Sequence, residues 1–104
     1  MRTSTRAIAI LTVVAAACLF GGCGPVEYSA VILDAHSAMA EAREADAHIH
    51  APYEYYYARE HIQKAREEAG YADYQAAVQF GRTAEEYALK ARDIARRRRR
   101  EMGR

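Results

Sequence analysis

Three observations predict an all-α fold for this chain of 104 residues. Apolar residues recur in alternating steps of three and four between residues 28 and 95, which is the spacing of helices with one buried face. The series changes phase twice, and each change coincides with residues that end or begin helices. Most of the repeated residues are alanines. The sequence therefore predicts an antiparallel helical hairpin or a small three-helix bundle with alanine-rich seams, preceded by a signal peptide.

The first 22 residues have the composition of an export signal. Two arginines precede a charge-free apolar run at residues 7–20. This run is shorter than the roughly 20 residues that span a bilayer, but it suits the apolar region of a signal peptide. Small residues follow it, so we expect cleavage between Gly22 and Cys23. On this interpretation residues 1–22 are a lipoprotein signal peptide, and residues 23–27 are a lipidated N-terminus and short tether.

The segment Leu19–Cys23 resembles a bacterial lipobox, with Phe20 at a position where leucine is usual. In a lipobox the cysteine is acylated and becomes the first residue after cleavage, so we expect diacylglycerol and N-acyl lipid on Cys23. Gly24 resembles the pattern of sorting to the outer membrane. Two alternatives stay open: an ordinary signal peptide with an unrelated cysteine, and cleavage ahead of Cys18.

Three predicted helices follow, at about residues 26–48, 53–69 and 74–98, within a helical domain over residues 28–100. Short connections make neighbouring helices antiparallel. Alanine seams bury little area, so larger side chains must add to the core. The candidates for this role flank the third seam and are Phe80, Tyr87 and Ile94.

The helix boundaries are predicted from residues at the two phase changes. Pro52 suits the first turn of the second helix, because its fixed φ is helical and it needs no amide donor there. Gly70 suits the position after that helix, and Asp73 suits the N-cap of the third. The predicted seams are Tyr28, Val31, Ala35, Ala38, Ala42, Ala45 and Ile49; Ala51, Tyr55, Ala58, Ile62, Ala65, Ala69 and Ala72; and Tyr74, Ala77, Gly81, Ala84, Ala88, Ala91 and Ala95.

The second helix and the turn after it carry a family resemblance. The segments are Ala51-Pro52-Tyr53-Glu54-Tyr55, Lys64-Ala65-Arg66-Glu67-Glu68-Ala69-Gly70-Tyr71, Asp73-Tyr74 and Ala77. Over residues 38–95 the chain resembles a family of short, alanine-rich bacterial lipoproteins, domain of unknown function 4398. The resemblance implies a helical envelope protein and provides no catalytic residues. Residues 71–87 also resemble one hairpin of the tetratricopeptide type, which indicates protein–protein contact.

Tyrosines concentrate at the start of the second helix. Tyr55 lies on the seam, whereas Tyr53 and Tyr57 share another face with His61. Tyrosine combines apolar area with a polar tip, so this segment is a candidate contact for a partner protein or a cell-wall glycan. The alternative is packing between the first two helices. The candidate contact residues are Tyr53, Tyr56, Tyr57 and His61.

The C-terminal tail, residues 96–104, is strongly basic, while residues 24–95 have seven basic and 13 acidic side chains. We expect the tail to contact an anionic cell-wall polymer, lipid phosphates or an acidic partner. The alternative is that the arginines only complement the helix dipole. Nucleic acid is not expected as a partner of an exported chain. The candidate residues are Arg96, Arg97, Arg98, Arg99 and Arg100.

Catalytic and metal-binding chemistry is not predicted. The hydroxyl side chains after Cys23 do not belong to a nucleophile motif, and there is no glycine-rich phosphate loop. The four histidines lack cysteines or acids at the spacing of a metal site. We therefore expect no enzyme activity, no metal and no cofactor other than the acyl groups. The histidines are His36, His48, His50 and His61.

These observations together predict an exported lipoprotein of a Gram-negative envelope, anchored in the outer membrane and facing the periplasm. We expect a non-catalytic structural or protein-interaction module, whose partners are the membrane, through its lipid anchor, and an envelope protein or anionic cell-wall polymer. The alternatives are a ligand-binding module, for a cell-wall glycan or a metal at the tyrosine- and histidine-rich segment, and a self-associating helical bundle or homo-oligomer.

Overall fold

A computed structural model describes residues 2–21 and 23–104 of the chain, which within those ranges form helices and no strand. The prediction of an all-α protein is therefore confirmed. The molecule is elongated, with extents of 82 × 23 × 13 Å. The helices are α1 (Arg2–Gly21), α2 (Cys23–Glu44), α3 (Ala47–His50), α4 (Pro52–Gly70) and α5 (Tyr74–Met102).

Helix α5 is the central element, because it packs along both α2 and α4. It runs antiparallel to α4, with Tyr57 of α4 beside Tyr87 of α5. It runs parallel to α2, since Tyr28 contacts Tyr74 near the start of both helices and Asp46, just after α2, pairs with Arg99 near the end of α5. Three long helices thus form the bundle, while α1 contacts only α2 among the described elements.

The buried residues of the bundle largely coincide with the predicted seams. The single apolar seam on each helix follows from the steps of three and four, because such residues share one face. Most of the seam alanines are less than 5% exposed, and the larger buried side chains are few. The seam residues that are buried are Val31, Ala35, Ala38, Ala42, Ala45, Ala51, Tyr55, Ala58, Ile62, Ala65, Ala77, Gly81, Ala84, Ala88, Ala91 and Ala95.

The predicted first helix, residues 26–48, is wrong at its C-terminal end. Helix α2 ends at Glu44, and Asp46 has a left-handed backbone with φ of 57°, a conformation that aspartate tolerates better than most residues. A separate one-turn helix, α3, follows, and it buries Ala47. Ile49, predicted on the seam, is 64% exposed because this turn rotates it out of the phase of α2.

In the turn between α4 and α5, the residue with a left-handed backbone is not the glycine that was predicted to follow the helix. Gly70 is the last residue of α4, and Ala72 has the positive φ of 60°. Ala72 is therefore exposed rather than part of the seam. Asp73 caps α5 as predicted, because its carboxylate accepts a hydrogen bond of 3.1 Å from the Ala76 amide.

Both predicted ends of the mature chain are helical. The residues expected as a tether, 23–27, form the first turns of α2, and the basic tail continues α5 as far as Met102. Of the larger residues expected to supplement the core, Tyr87 and Ile94 pack against it, and Phe80 is half-buried.

Helices α2 and α5 approach each other closely at Gly81. An added Cβ there would lie 2.7 Å from Val31 Cγ1, which is closer than two non-bonded carbon atoms can approach. At Gly70 an added Cβ would meet no atom within 4 Å. The two glycines therefore provide a matched pair for testing the helix contact.

We predict that Gly81→Ala destabilises the protein by about 1–2 kcal/mol. The overpacking cost of about 1–3 kcal/mol exceeds the gain of up to about 1 kcal/mol from the helix propensity of alanine. Urea denaturation followed by circular dichroism measures the change. Gly70→Ala is the control and should be neutral or stabilising, and adding Val31→Ala should reduce the cost of Gly81→Ala. Equal stability of the two alanine variants would contradict the close contact.

Candidate functional site

The first three turns of α4 place aromatic rings in a row along one face. Tyr53, Tyr57 and His61 are four residues apart, so they lie above one another on the helix. The ring centroids of Tyr53 and Tyr57 are 5.9 Å apart, and those of Tyr57 and His61 are 4.1 Å apart in a stacked arrangement. Two of the predicted contact tyrosines and the histidine are therefore adjacent in the structure.

Helix α5 supports the inner part of this row. The Tyr57 ring lies 4.2 Å from the Tyr87 ring, and the His61 ring lies 5.8 Å from the Phe80 ring. The His61 Nδ1 atom is 2.9 Å from the Tyr57 carbonyl oxygen. Tyr57 and His61 are accordingly half-buried, and they pack against α5 rather than between the first two predicted helices.

The outer tyrosines have a different environment. Tyr53 is 68% exposed and Tyr56 is 46% exposed, whereas Tyr55 is only 4% exposed. The Arg59 guanidinium lies 5.6 Å from the Tyr56 ring centroid, a cation–π contact at the surface. Tyr55 instead packs towards α3, with its ring 5.9 Å from His48, and accepts a hydrogen bond of 3.4 Å from Arg43 Nε.

An open groove of about 550 Å³ lies over these rings. We call it the aromatic groove. Two of its members, Pro52 and Glu60, are not among the contact residues predicted from the sequence. The spacing from Tyr53 indicates Glu60, since residues seven apart share a helix face. The groove is lined by Pro52, Tyr53, Tyr56, Tyr57, Glu60 and His61.

The arginines at the end of α5 divide into two groups. Arg98 donates a hydrogen bond to the His50 carbonyl, and Arg99 Nη1 lies 3.7 Å from Asp46 Oδ2. These two residues therefore connect α5 to α3 and to the turn before it. All five arginines are exposed, but the other three, Arg96, Arg97 and Arg100, form no hydrogen bond or ion pair with the described side chains. A hollow of about 340 Å³ is lined by Arg96, Arg99 and Arg100. We call this region, residues 96–100, the arginine end.

The histidines lie in separate environments. Arg66 Nη2 donates a hydrogen bond of 2.9 Å to His36 Nε2, because a guanidinium only donates. The Nδ1 atom of His48 is buried without a hydrogen-bond partner in the described part of the chain. Among the side chains that the structure describes, no three histidines, cysteines or acids lie close enough together to hold a metal ion.

The predicted lipidation site is at the end of the bundle opposite the arginine end. Cys23 begins α2, and a Cβ added to the next residue, Gly24, would lie 3.1 Å from Tyr74 Cβ at the start of α5. The other predicted cleavage residue, Gly22, and the Cys23 side chain lie outside the described residues. None of the helices described here has both the length and the hydropathy needed to cross a membrane.

The comparison with protein families agrees with the resemblance in the sequence. A family model described as domain of unknown function (DUF4398) matches residues 30–103. The chain belongs to this family. No curated protein and no solved structure matches the chain. The match extends beyond the predicted range of 38–95 at both ends, and it includes α3 and the arginine end as well as the aromatic groove.

We predict that part of the acid sensitivity of the fold comes from His36. Burial, and then the Arg66 guanidinium, lower the pKa of His36 below its ordinary value of 6.5. The contribution of His36 to stability is therefore fully present above pH 6.5 and is lost as the pH falls below that value, because the unfolded chain takes up the proton first. The effect is below about 1 kcal/mol, since solvent screens an exposed group.

Urea denaturation at pH 7.5 and 5.5 measures this effect. His36→Gln keeps an acceptor for Arg66 but does not titrate, so the variant should lose less stability between the two pH values than the natural chain. The remaining histidines are unchanged in both proteins and serve as the internal control. An identical loss in both would show that His36 does not contribute.

Proposed function

We propose that the protein is a lipid-anchored, non-catalytic interaction module of the bacterial cell envelope, attached through Cys23 to the outer membrane and facing the periplasm. In this function the acyl groups fix one end of the bundle, and the surfaces at the other end contact a partner. The partner classes are an envelope protein and an anionic polymer of the cell wall.

The observation that carries the proposal is the polarity of the bundle. Because α2 and α5 run in parallel, the start of α2 with Cys23 and the end of α5 with the arginines are at opposite ends. Helix α5 has 29 residues, which is about 43 Å at 1.5 Å per residue. An anchor on Cys23 thus leaves the arginine end about 40 Å from the anchored residue along the bundle, and the aromatic groove, where Tyr57 packs on Tyr87, about 20 Å from it.

The environment of α1 supports its assignment as a removable signal peptide. It contacts only α2 among the described helices, so its loss leaves the seams of the bundle in place. The large apolar side chains that the structure describes in α1 do not contribute to the core. The exposed ones are Ile8, Ile10, Leu11, Val13 and Val14.

The aromatic groove favours a second candidate function, the binding of a cell-wall glycan. Tyr53 and Tyr56 present ring surface to solvent, and the Glu60 carboxylate at the groove is an acceptor for hydroxyl groups. The same exposed rings also suit a second copy of the chain, which would make a self-associating bundle. For a metal at this segment, the described side chains offer no group of three ligands.

The anchor is tested by expressing the full chain in a Gram-negative host and measuring the mass of the protein from the membrane fraction. We expect a processed chain beginning at Cys23 that carries diacylglycerol and an N-linked acyl chain. Cys23→Ser should leave the protein unacylated, because serine lacks the thiol that receives the diacylglycerol. Cys18→Ser is the matched control and should be processed normally. An unmodified N-terminus at another residue would overturn the anchor.

The glycan candidate makes a separate prediction about the tyrosines. Tyr53→Ala with Tyr56→Ala should change the free energy of unfolding by less than about 1 kcal/mol, because both rings are largely exposed. Tyr55→Ala, the buried control, should cost about 3–5 kcal/mol. Co-sedimentation with insoluble cell-wall glycan then tests the groove, and the double variant should lose binding while remaining folded. Unchanged binding by that variant would exclude the groove as the glycan site.

A further inference from the structure

Apolar side chains are exposed beside the arginine end. Ile49 of α3 is exposed, as noted above, and Met102 at the end of α5 is 67% exposed. Together with His50, Arg98 and Glu101 they line a hollow of about 390 Å³. Apolar groups clustered at one surface in this way mark a contact site.

The cationic charge at this end exceeds what the fold uses. Arg98 and Arg99 bind the His50 carbonyl and the Asp46 carboxylate, which accounts for two of the arginines. One or two cations also suffice to complement the negative end of the helix dipole. Arg96, Arg97 and Arg100 point into solvent, and the residues around them from 96 to 104 include one acid.

We infer that this end of the bundle docks on a bilayer surface that presents anionic phosphate head groups. The guanidinium groups of Arg96, Arg97 and Arg100 bind the phosphates, since their planar donors match phosphate oxygens in bidentate hydrogen bonds. The side chains of Ile49 and Met102 enter the boundary between head groups and acyl chains. The charge of the surface and its apolar groups both fit this partner.

A soluble polyanion fits the same surface less well. Such a partner would be held by the arginines alone and would leave the apolar hollow exposed to water. The three arginines and Met102 lie on different sides of α5. A bilayer that meets the end of the bundle end-on is therefore the partner that covers the apolar side chains and neutralises the charge in one contact. The inference goes beyond the proposed anchor, because it concerns the end of the bundle opposite Cys23 and does not require acylation.

The test measures the binding of the full chain carrying Cys23→Ser to two kinds of vesicle. One kind is pure phosphatidylcholine and the other contains phosphatidylglycerol, so that only the second is anionic. Helix α1 is the same in every variant, and its contribution therefore cancels when variants are compared. We expect tighter binding to the anionic vesicles, with a preference that weakens as salt is raised.

The arginine variant replaces Arg96, Arg97 and Arg100 with Gln and keeps the two arginines that contact α3. It should bind anionic vesicles about 100-fold more weakly, at about fivefold for each arginine near the surface. The matched control replaces Arg59, Lys64 and Lys90 with Gln, three exposed cations elsewhere on the bundle. This control has the same net charge and should retain nearly all of the binding. Anionic-vesicle binding that is unchanged in the arginine variant would overturn the inference.

The apolar variant, Ile49→Ser with Met102→Ser, separates a bilayer from a soluble polyanion. It should weaken binding to anionic vesicles by about tenfold, because the two side chains no longer bury apolar area. Its binding to soluble polyphosphate, measured in parallel, should equal that of the parent chain. If the apolar variant binds vesicles as tightly as the parent, the arginines alone hold the ligand, and docking on a bilayer is overturned.

Discussion

The bundle depends on the close approach of α5 to both α2 and α4. Alanine seams and Gly81 permit this approach, because a methyl group or a hydrogen atom is all that separates the helix backbones. Each alanine buries little area at about 25 cal/mol per Å², so the stability of the core comes from many small contacts made at short distance. The few large buried side chains, such as Tyr55 and Ile62, add to this.

Two ion pairs also join α2 to α5 beside the seam. They are Glu27–Arg82 at 2.8 Å, near the start of α2, and Glu41–Arg92 at 2.5 Å, near its end.

The close spacing of the helices also determines which large side chains remain exposed at the surface. Narrow seams leave no room for several large aromatic rings, so only Tyr55 of the tyrosines at the start of α4 enters the core. Tyr57 packs at the margin against α5, and Tyr53 and Tyr56 remain outside. The aromatic groove lies beside the middle of α5, since Tyr57 packs on Tyr87 and His61 on Phe80, whereas the arginine end lies at the C-terminus of that helix. A partner that meets the arginine end would contact cationic and apolar groups together.

The sequence predicted the long helices and nearly all of their buried positions, because an apolar step of three or four reports one helix face directly. Pro52 and Asp73 marked two helix starts correctly through backbone chemistry. The break after Glu44 was not predicted, because the apolar spacing continues through the one-turn helix α3 without interruption. Asp46 gave no signal either, because aspartate occurs in helices and in turns. Gly70 does end α4, but the residue with a left-handed backbone is Ala72. An alanine gives no signal in the sequence that predicts this conformation.

By itself, the sequence determined that the chain is all-helical, which face of each long helix is buried, and that it belongs to DUF4398. Only the tertiary structure decided which tyrosines form the aromatic groove, which arginines are used by the fold, and that Ile49 and Met102 are exposed beside them. The physical reason is the range of the interactions involved. A helix face is a local property of residues three and four apart, whereas the environment of Arg98 or Tyr57 depends on residues more than 25 positions away in the chain.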